Sequence, residues 1–152
     1  MGQTNPFNFV TIVVNRVDRT QLEGEQIMNI EMNKLDISVK RVSLVGRLDW
    51  NGTSQVANTF TILVAAEKTA VLVDMSGVDF IASIGIRILV MEARAVARRG
   101  GKMGLLQPRP LVEESLRTAG IDLLIPIYSD ADTAYTTLLA KIKPYPKALE
   151  AA

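Results

Sequence analysis

The run Thr69-Ala70-Val71-Leu72-Val73-Asp74 is almost wholly apolar, and segments of helical spacing stand on both sides of it. A stretch so short and so uniformly apolar suits a strand covered on both faces, whereas a half-exposed strand would alternate. Helices packed against such a strand dictate an α/β arrangement with this strand at a central position of the sheet. The rest of the chain is read around it.

Before this run, residues 28–48 alternate apolar and polar positions at Ile30, Met32, Leu35, Ile37, Val39, Val42 and Leu44, which is strand periodicity with a hairpin turning near Lys40-Arg41. Asn51, Gly52 and Thr53 can cap a helix, and Val56, Phe60, Ile62, Leu63 and Ala66 follow at helical spacing, so a first helix is predicted over residues 52–68. Residues 75–82 read as a connector. From Ser83 onward, Ile86, Leu89, Val90, Ala93 and Val96 or Ala97 form one apolar stripe, ending at Arg98-Arg99-Gly100-Gly101, where cations complement the helix dipole and glycine supplies the stop. A strand over 102–107, a helix over 108–119 opened by Pro110, a short strand over 125–128 and a helix over 130–141 complete the alternation. The expected domain spans 27–142, with an N-terminal extension at 1–26, read as an edge strand or an appendage, and a loose tail at 143–152.

Composition narrows the chemistry. The 152 residues include no histidine and no cysteine, which excludes a Ser-His-Asp relay, a Cys-His pair, histidine-bearing zinc sites, disulfides and thiol chemistry. Lys+Arg 17 against Asp+Glu 16 leaves a net charge of +1, so there is no global pull toward nucleic acid or an anionic membrane. The apolar stretches near 60–66 and 86–91 are far below the roughly 18 residues of a membrane span. The first ten residues lack the pattern of a secretory signal, so a cytoplasmic protein is expected, without membrane insertion.

Ser83 is the residue that stands out. A serine between a buried strand's exit and an amphipathic helix reads first as an N-cap, and also as an accessible hydroxyl at the positive end of a helix dipole. Asp74 and Asp79 could belong to a carboxylate cluster for magnesium and phosphoryl transfer, with Asp49 as a third member, but they read more simply as turn and capping residues. Asp49, which ends Gly46-Arg47-Leu48-Asp49, is placed to share an edge with Ser83. Gly100-Gly101-Lys102 follows a helix and precedes a strand, the reverse of a phosphate-binding loop, and is a C-cap and turn.

The succession Gly46-Arg47-Leu48-Asp49, then Val71-Leu72-Val73-Asp74-Met75-Ser76-Gly77-Val78-Asp79-Phe80-Ile81-Ala82-Ser83-Ile84-Gly85-Ile86, then Gly100-Gly101-Lys102-Met103, then the helix from Pro110 to Gly120 with Ile121-Asp122, resembles the STAS domain. It is most similar to the bacterial anti-sigma factor antagonists, over about residues 28–139. The resemblance implies a mixed β-sheet packed by about four α-helices. It implies a binding module in transcription regulation rather than an enzyme. The partner would be an anti-sigma factor or switch serine kinase that phosphorylates Ser83 with ATP, and a PP2C-type phosphatase would reverse the step. The unphosphorylated form would bind, through a patch of Asp49, Ala82, Ser83, Ile84, Gly85, Ile86 and Arg87. No cofactor, metal or nucleic acid is expected, since the ATP site belongs to the partner; weak homodimerisation is open. Ala82 and Ile84 depart from the pattern of many phospho-regulated members, which carry an acidic residue before the acceptor and a hydroxyl residue after it. The alternative is a non-switching STAS scaffold or transporter-associated assembly module.

Overall fold

The computed structural model describes residues 11–14, 29–36, 39–65 and 69–142. The strands are β1 (Thr11–Val14), β2 (Asn29–Asp36), β3 (Val39–Leu48), β4 (Ala70–Ile81), β5 (Lys102–Leu106) and β6 (Ile127–Tyr128). The helices are α1 (Trp50–Leu63), α2 (Ser83–Arg98), α3 (Pro110–Thr118) and α4 (Ala131–Lys141), with a 3-10 turn at Ile121–Leu123. All six strands form one sheet in the order β1-β2-β3-β4-β5-β6. The β1-β2 and β2-β3 pairs are antiparallel, and β3 through β6 run parallel, so the sheet is mixed and β4 lies inside it.

Alternation along β4 separates two cores. Val71, Val73 and Met75 join Val56 and Phe60 of α1, Leu89 and Val96 of α2, and Val112 and Leu116 of α3. Ala70 and Leu72, on the other face, pack with Val39, Leu106 and Ala134 and Leu138 of α4. Three helices therefore cover one face and one helix part of the other.

Several boundaries differ from the sequence expectation, each for a local reason. Lys40 and Arg41 are not a turn: they pair with Lys34 and Asn33 inside the β2-β3 ladder, and the connection at 37–38 lies outside the described residues. The first helix starts at Trp50 rather than at 52 because Asp49 accepts a hydrogen bond from the Gly52 N–H at 2.8 Å and caps it. It closes at Leu63, with Val64 as C-cap; residues 66–68, the predicted end, lie outside the described residues. The supposed connector at 75–82 is strand as far as Ile81. There β4 continues along β3, pairing Gly77, Val78, Phe80 and Ile81 with Val45, Gly46, Arg47 and Leu48, beyond the last residue paired to β5. The β3-β4 register shifts at two places, one of them between Gly46 and Arg47, and Gly46 has φ 123°, a conformation that L side chains rarely adopt. In the segment 1–26, Thr11–Val14 is the edge strand of the sheet, and the remainder, like 143–152, lies outside the described residues.

Candidate functional site: the β3-β4 edge and helix α2

Parallel strands β3 and β4 end side by side, Leu48 opposite Ile81, and each hands the chain to a helix N-terminus. That brings Asp49, at the head of α1, and Ser83, at the head of α2, to the same edge of the sheet. The Ala82 N–H donates to the Leu48 carbonyl at 2.9 Å, which fixes where α2 begins. Gly85 permits the close approach: a Cβ there would lie 2.8 Å from the Leu48 carbonyl oxygen and 3.0 Å from Ile81 Cγ1.

Ser83 is not the N-cap. Ala82 occupies that position in extended conformation, with no side-chain cap, and Ser83 is the first helical residue. The entry angle is set by the backbone hydrogen bond to the sheet, which leaves the serine hydroxyl without a capping task. Ser83 is exposed. Its position in the first turn places any negative charge on it beside uncompensated backbone N–H groups.

The other members of the predicted patch divide. Asp49 is half-buried and engaged: besides capping α1, it lies 3.6 Å from Arg47 Nε. Arg47 in turn stacks its guanidinium 4.3 Å from the centroid of the Phe80 ring, a cation–π contact on the same edge. Ile84 is half-buried and Arg87 exposed, while Gly85 is buried and Ile86 packs against the main core. Gly85 and Ile86 thus position α2, and Ser83, Ile84 and Arg87 face outward from it.

Asp74 caps no helix, but it does make the local bond expected of a turn aspartate, to the backbone two residues on. It sits inside β4, where its Oδ2 accepts from Arg41 at 2.6 Å and its Oδ1 accepts from the backbone and hydroxyl of Ser76 at 3.0 and 2.7 Å. Burial alone raises its pKa, but the hydrogen bonds from Arg41 and Ser76, with the Arg41 charge, hold it below the usual carboxylate range. Asp79 is exposed further along the strand. Among the described residues no group of three potential ligands comes together as a metal site.

A second feature escaped the sequence reading. Between α1 and α2 runs a groove of about 400 Å³, reaching from Ile84 and Arg87 to Met91 and Glu92. Glu92 is buried and accepts a hydrogen bond from the Thr61 hydroxyl at 2.7 Å, but its second oxygen has no partner, nor has the buried Thr53 hydroxyl. Such orphaned groups cost about 1–3 kcal/mol each. The signal was present: a glutamate three residues after Leu89 and four before Val96 interrupts a core-facing stripe.

A family model described as "Mlab, STAS domain" matches residues 34–126. The chain belongs to the STAS family. No curated protein gives a significant match. Among solved structures, an anti-sigma factor antagonist STAS domain protein from Planctomyces limnophilus is similar to this STAS chain with a TM-score of 0.62 and 26% identity, covering 77% of this chain and 99% of that one. An anti-sigma factor antagonist from Mycobacterium paratuberculosis gives a TM-score of 0.62 at 21% identity over 88% and 97% of the two chains. The murine anion transporter solute carrier 26 family member A9, inward-facing, gives 0.62 at 16% identity, covering 70% of this chain and 18% of the transporter. The mixed sheet with four helices is the STAS fold, as the resemblance implied. No helix among the described residues is long and apolar enough to cross a membrane.

Proposed function

We propose that this STAS protein is an anti-sigma factor antagonist, a cytoplasmic, non-enzymatic binding module whose partner is an anti-sigma factor or switch serine kinase. Ser83 is the phosphate acceptor and the unphosphorylated form binds. One observation carries this: Ser83 is exposed at the first position of α2 and has no capping role, because Ala82 and the Leu48 carbonyl set the helix start. A hydroxyl without a structural task can be modified without disturbing the fold.

The physics of the switch is local. Phosphate adds about −1.5 to −2 charge and three acceptor oxygens, which the N-terminus of α2 accommodates. A partner surface shaped for a neutral hydroxyl instead meets bulk and charge that it must desolvate. A tenfold loss of affinity needs only about 1.4 kcal/mol of difference between the two forms. A PP2C-type phosphatase restores the binding form.

The test combines modification with capture. Incubated with its kinase and ATP, the wild type is expected to gain phosphate at Ser83 and Ser83→Ala none; incorporation into Ser83→Ala at the wild-type rate overturns the assignment. Immobilised Ser83→Asp is expected to lose, by about tenfold or more, the ATP-binding partner that wild type and Ser83→Ala retain from native extract.

A second reading is a non-switching assembly module, associated with a scaffold or transporter. It is favoured by Ala82 and Ile84, which depart from the phospho-regulated pattern, and by the similarity to a segment of an anion transporter. On that reading wild type and Ser83→Asp retain the same subunits.

A further inference from the structure

The groove between α1 and α2 contains acceptors that the fold does not serve. Glu92 is 5% exposed and Thr53 3% exposed, and neither Glu92 Oε2 nor Thr53 Oγ1 has a hydrogen-bond partner. A carboxylate oxygen accepts hydrogen bonds, so Oε2 can take an N–H or O–H donor, and the Thr53 hydroxyl can accept from the same source. Both residues line the groove together with the apolar Ile84, Ile88 and Met91. Neither orphaned atom is open to water in this conformation. A guest therefore reaches them by displacing a side chain that lines the groove.

We propose that this groove is a binding site for a guanidinium group carried on an alkyl stem. The stem lies along Ile84, Ile88 and Met91, and the head donates to Glu92, with Thr53 as a second acceptor. A guanidinium suits the site better than an ammonium because it is planar, offers five donors and sheds its hydration more readily. A bare metal ion does not suit it, since a single carboxylate stands there and no three-ligand group forms among the described residues. Arg87 lines the same groove, is exposed, and makes no ion pair among the described residues, so an acidic group at the outer end of the guest is favoured. The site shares α2 with Ser83 but does not depend on phosphorylation there.

The experiment is an amide NMR titration of the full chain with three probes. N-acetylarginine carries head, stem and carboxylate; N-acetylarginine methylamide lacks the free carboxylate; N-acetylnorvaline lacks the head. N-acetylarginine is expected to shift the amides around Thr53, Ile88 and Glu92 at least about tenfold more tightly than N-acetylnorvaline, with Glu92→Gln losing that difference. Thr53→Val, a smaller perturbation of the fold, is expected to weaken N-acetylarginine several-fold, and Ser83→Ala to leave it unchanged. Tighter binding of the acid than of the methylamide, abolished by Arg87→Ala, assigns the site to a free small molecule. Tighter binding of the methylamide assigns it to an arginine within a polypeptide and overturns the role given to Arg87. Equal binding of N-acetylarginine and N-acetylnorvaline, or undiminished binding by both Glu92→Gln and Thr53→Val, overturns the site.

Discussion

Asp74 shows how a single side chain can be visible in a sequence while its partner is not. A carboxylate at the end of an apolar run is plain, but Arg41 lies 33 residues earlier and reaches it only because β3 and β4 pair in parallel register. With the Asp74 side chain 10% exposed and Arg41 30% exposed, the pair is shielded enough to matter and wet enough to limit its contribution. Asp74→Asn is expected to cost about 1–3 kcal/mol at neutral pH, measured by urea unfolding. The pH dependence has a definite sign. Because the folded pKa lies below the ordinary value of 3.8, the contribution is present above that value and is lost as pH falls through the lower, folded value. Wild type is expected to lose its advantage over Asp74→Asn only below about pH 4; a difference that persists undiminished through that window would remove Asp74 from the account. Ser83 illustrates the complementary limit. Its place at a helix start was legible, but its release from capping was not, because the Leu48 carbonyl that sets the helix start comes from a neighbouring strand.

At the scale of elements, two residues hold the heads of α1 and α2. Asp49→Ala removes the cap on the Gly52 N–H and is expected to cost about 0.5–2 kcal/mol; a cost near zero in thermal unfolding would show that the Trp50 end of α1 needs no side-chain cap. Gly85→Ala sets helix propensity against packing. Alanine gains roughly 1 kcal/mol within a helix, but its Cβ would sit 2.8 Å from the Leu48 backbone oxygen, which cannot yield as a side-chain tip would. Overpacking of this kind costs about 1–3 kcal/mol, so net destabilisation of up to a few kcal/mol is expected. If phosphorylation of the intact Ser83 also slows in this variant, the height of α2 over the sheet matters to the partner. The periodic stripe of α2 was legible because that helix has one wet face and one dry. The extension of β4 through 75–81 was not, since that half of the strand is paired on one side only and exposes Ser76, Asp79 and Phe80 among buried Val78 and Ile81.

For the whole molecule, the continuous apolar run of β4 was enough to call for an α/β sheet with helices on both faces, and that is what forms. The unequal cover was not legible, because which face a helix takes depends on the crossover and not on its own stripe. The smaller core rests on α4, so Leu138→Ala, at a position with no exposure, is expected to cost about 2–5 kcal/mol by chemical denaturation. Native-state hydrogen exchange is expected to find the amides of residues 71–74, between β3 and β5, opening only with global unfolding, and those of two-residue β6 opening locally; the reverse order would contradict a sheet centred on β4. Helix α2 is fastened at its head by the Ala82 N–H on the Leu48 carbonyl at 2.9 Å, and four residues past its end the chain is already in β5, where the Lys102 N–H meets the Thr69 carbonyl at 3.3 Å. A helix held at its head by the sheet is not required to move for its first turn to change charge. On the proposed role, a change at its head is therefore expressed as soon as the phosphate is attached or removed, so response time is set by kinase and phosphatase turnover and by partner dissociation. On that role the module keeps no history: a given phosphate occupancy is expected to produce the same affinity whether it is approached from above or from below.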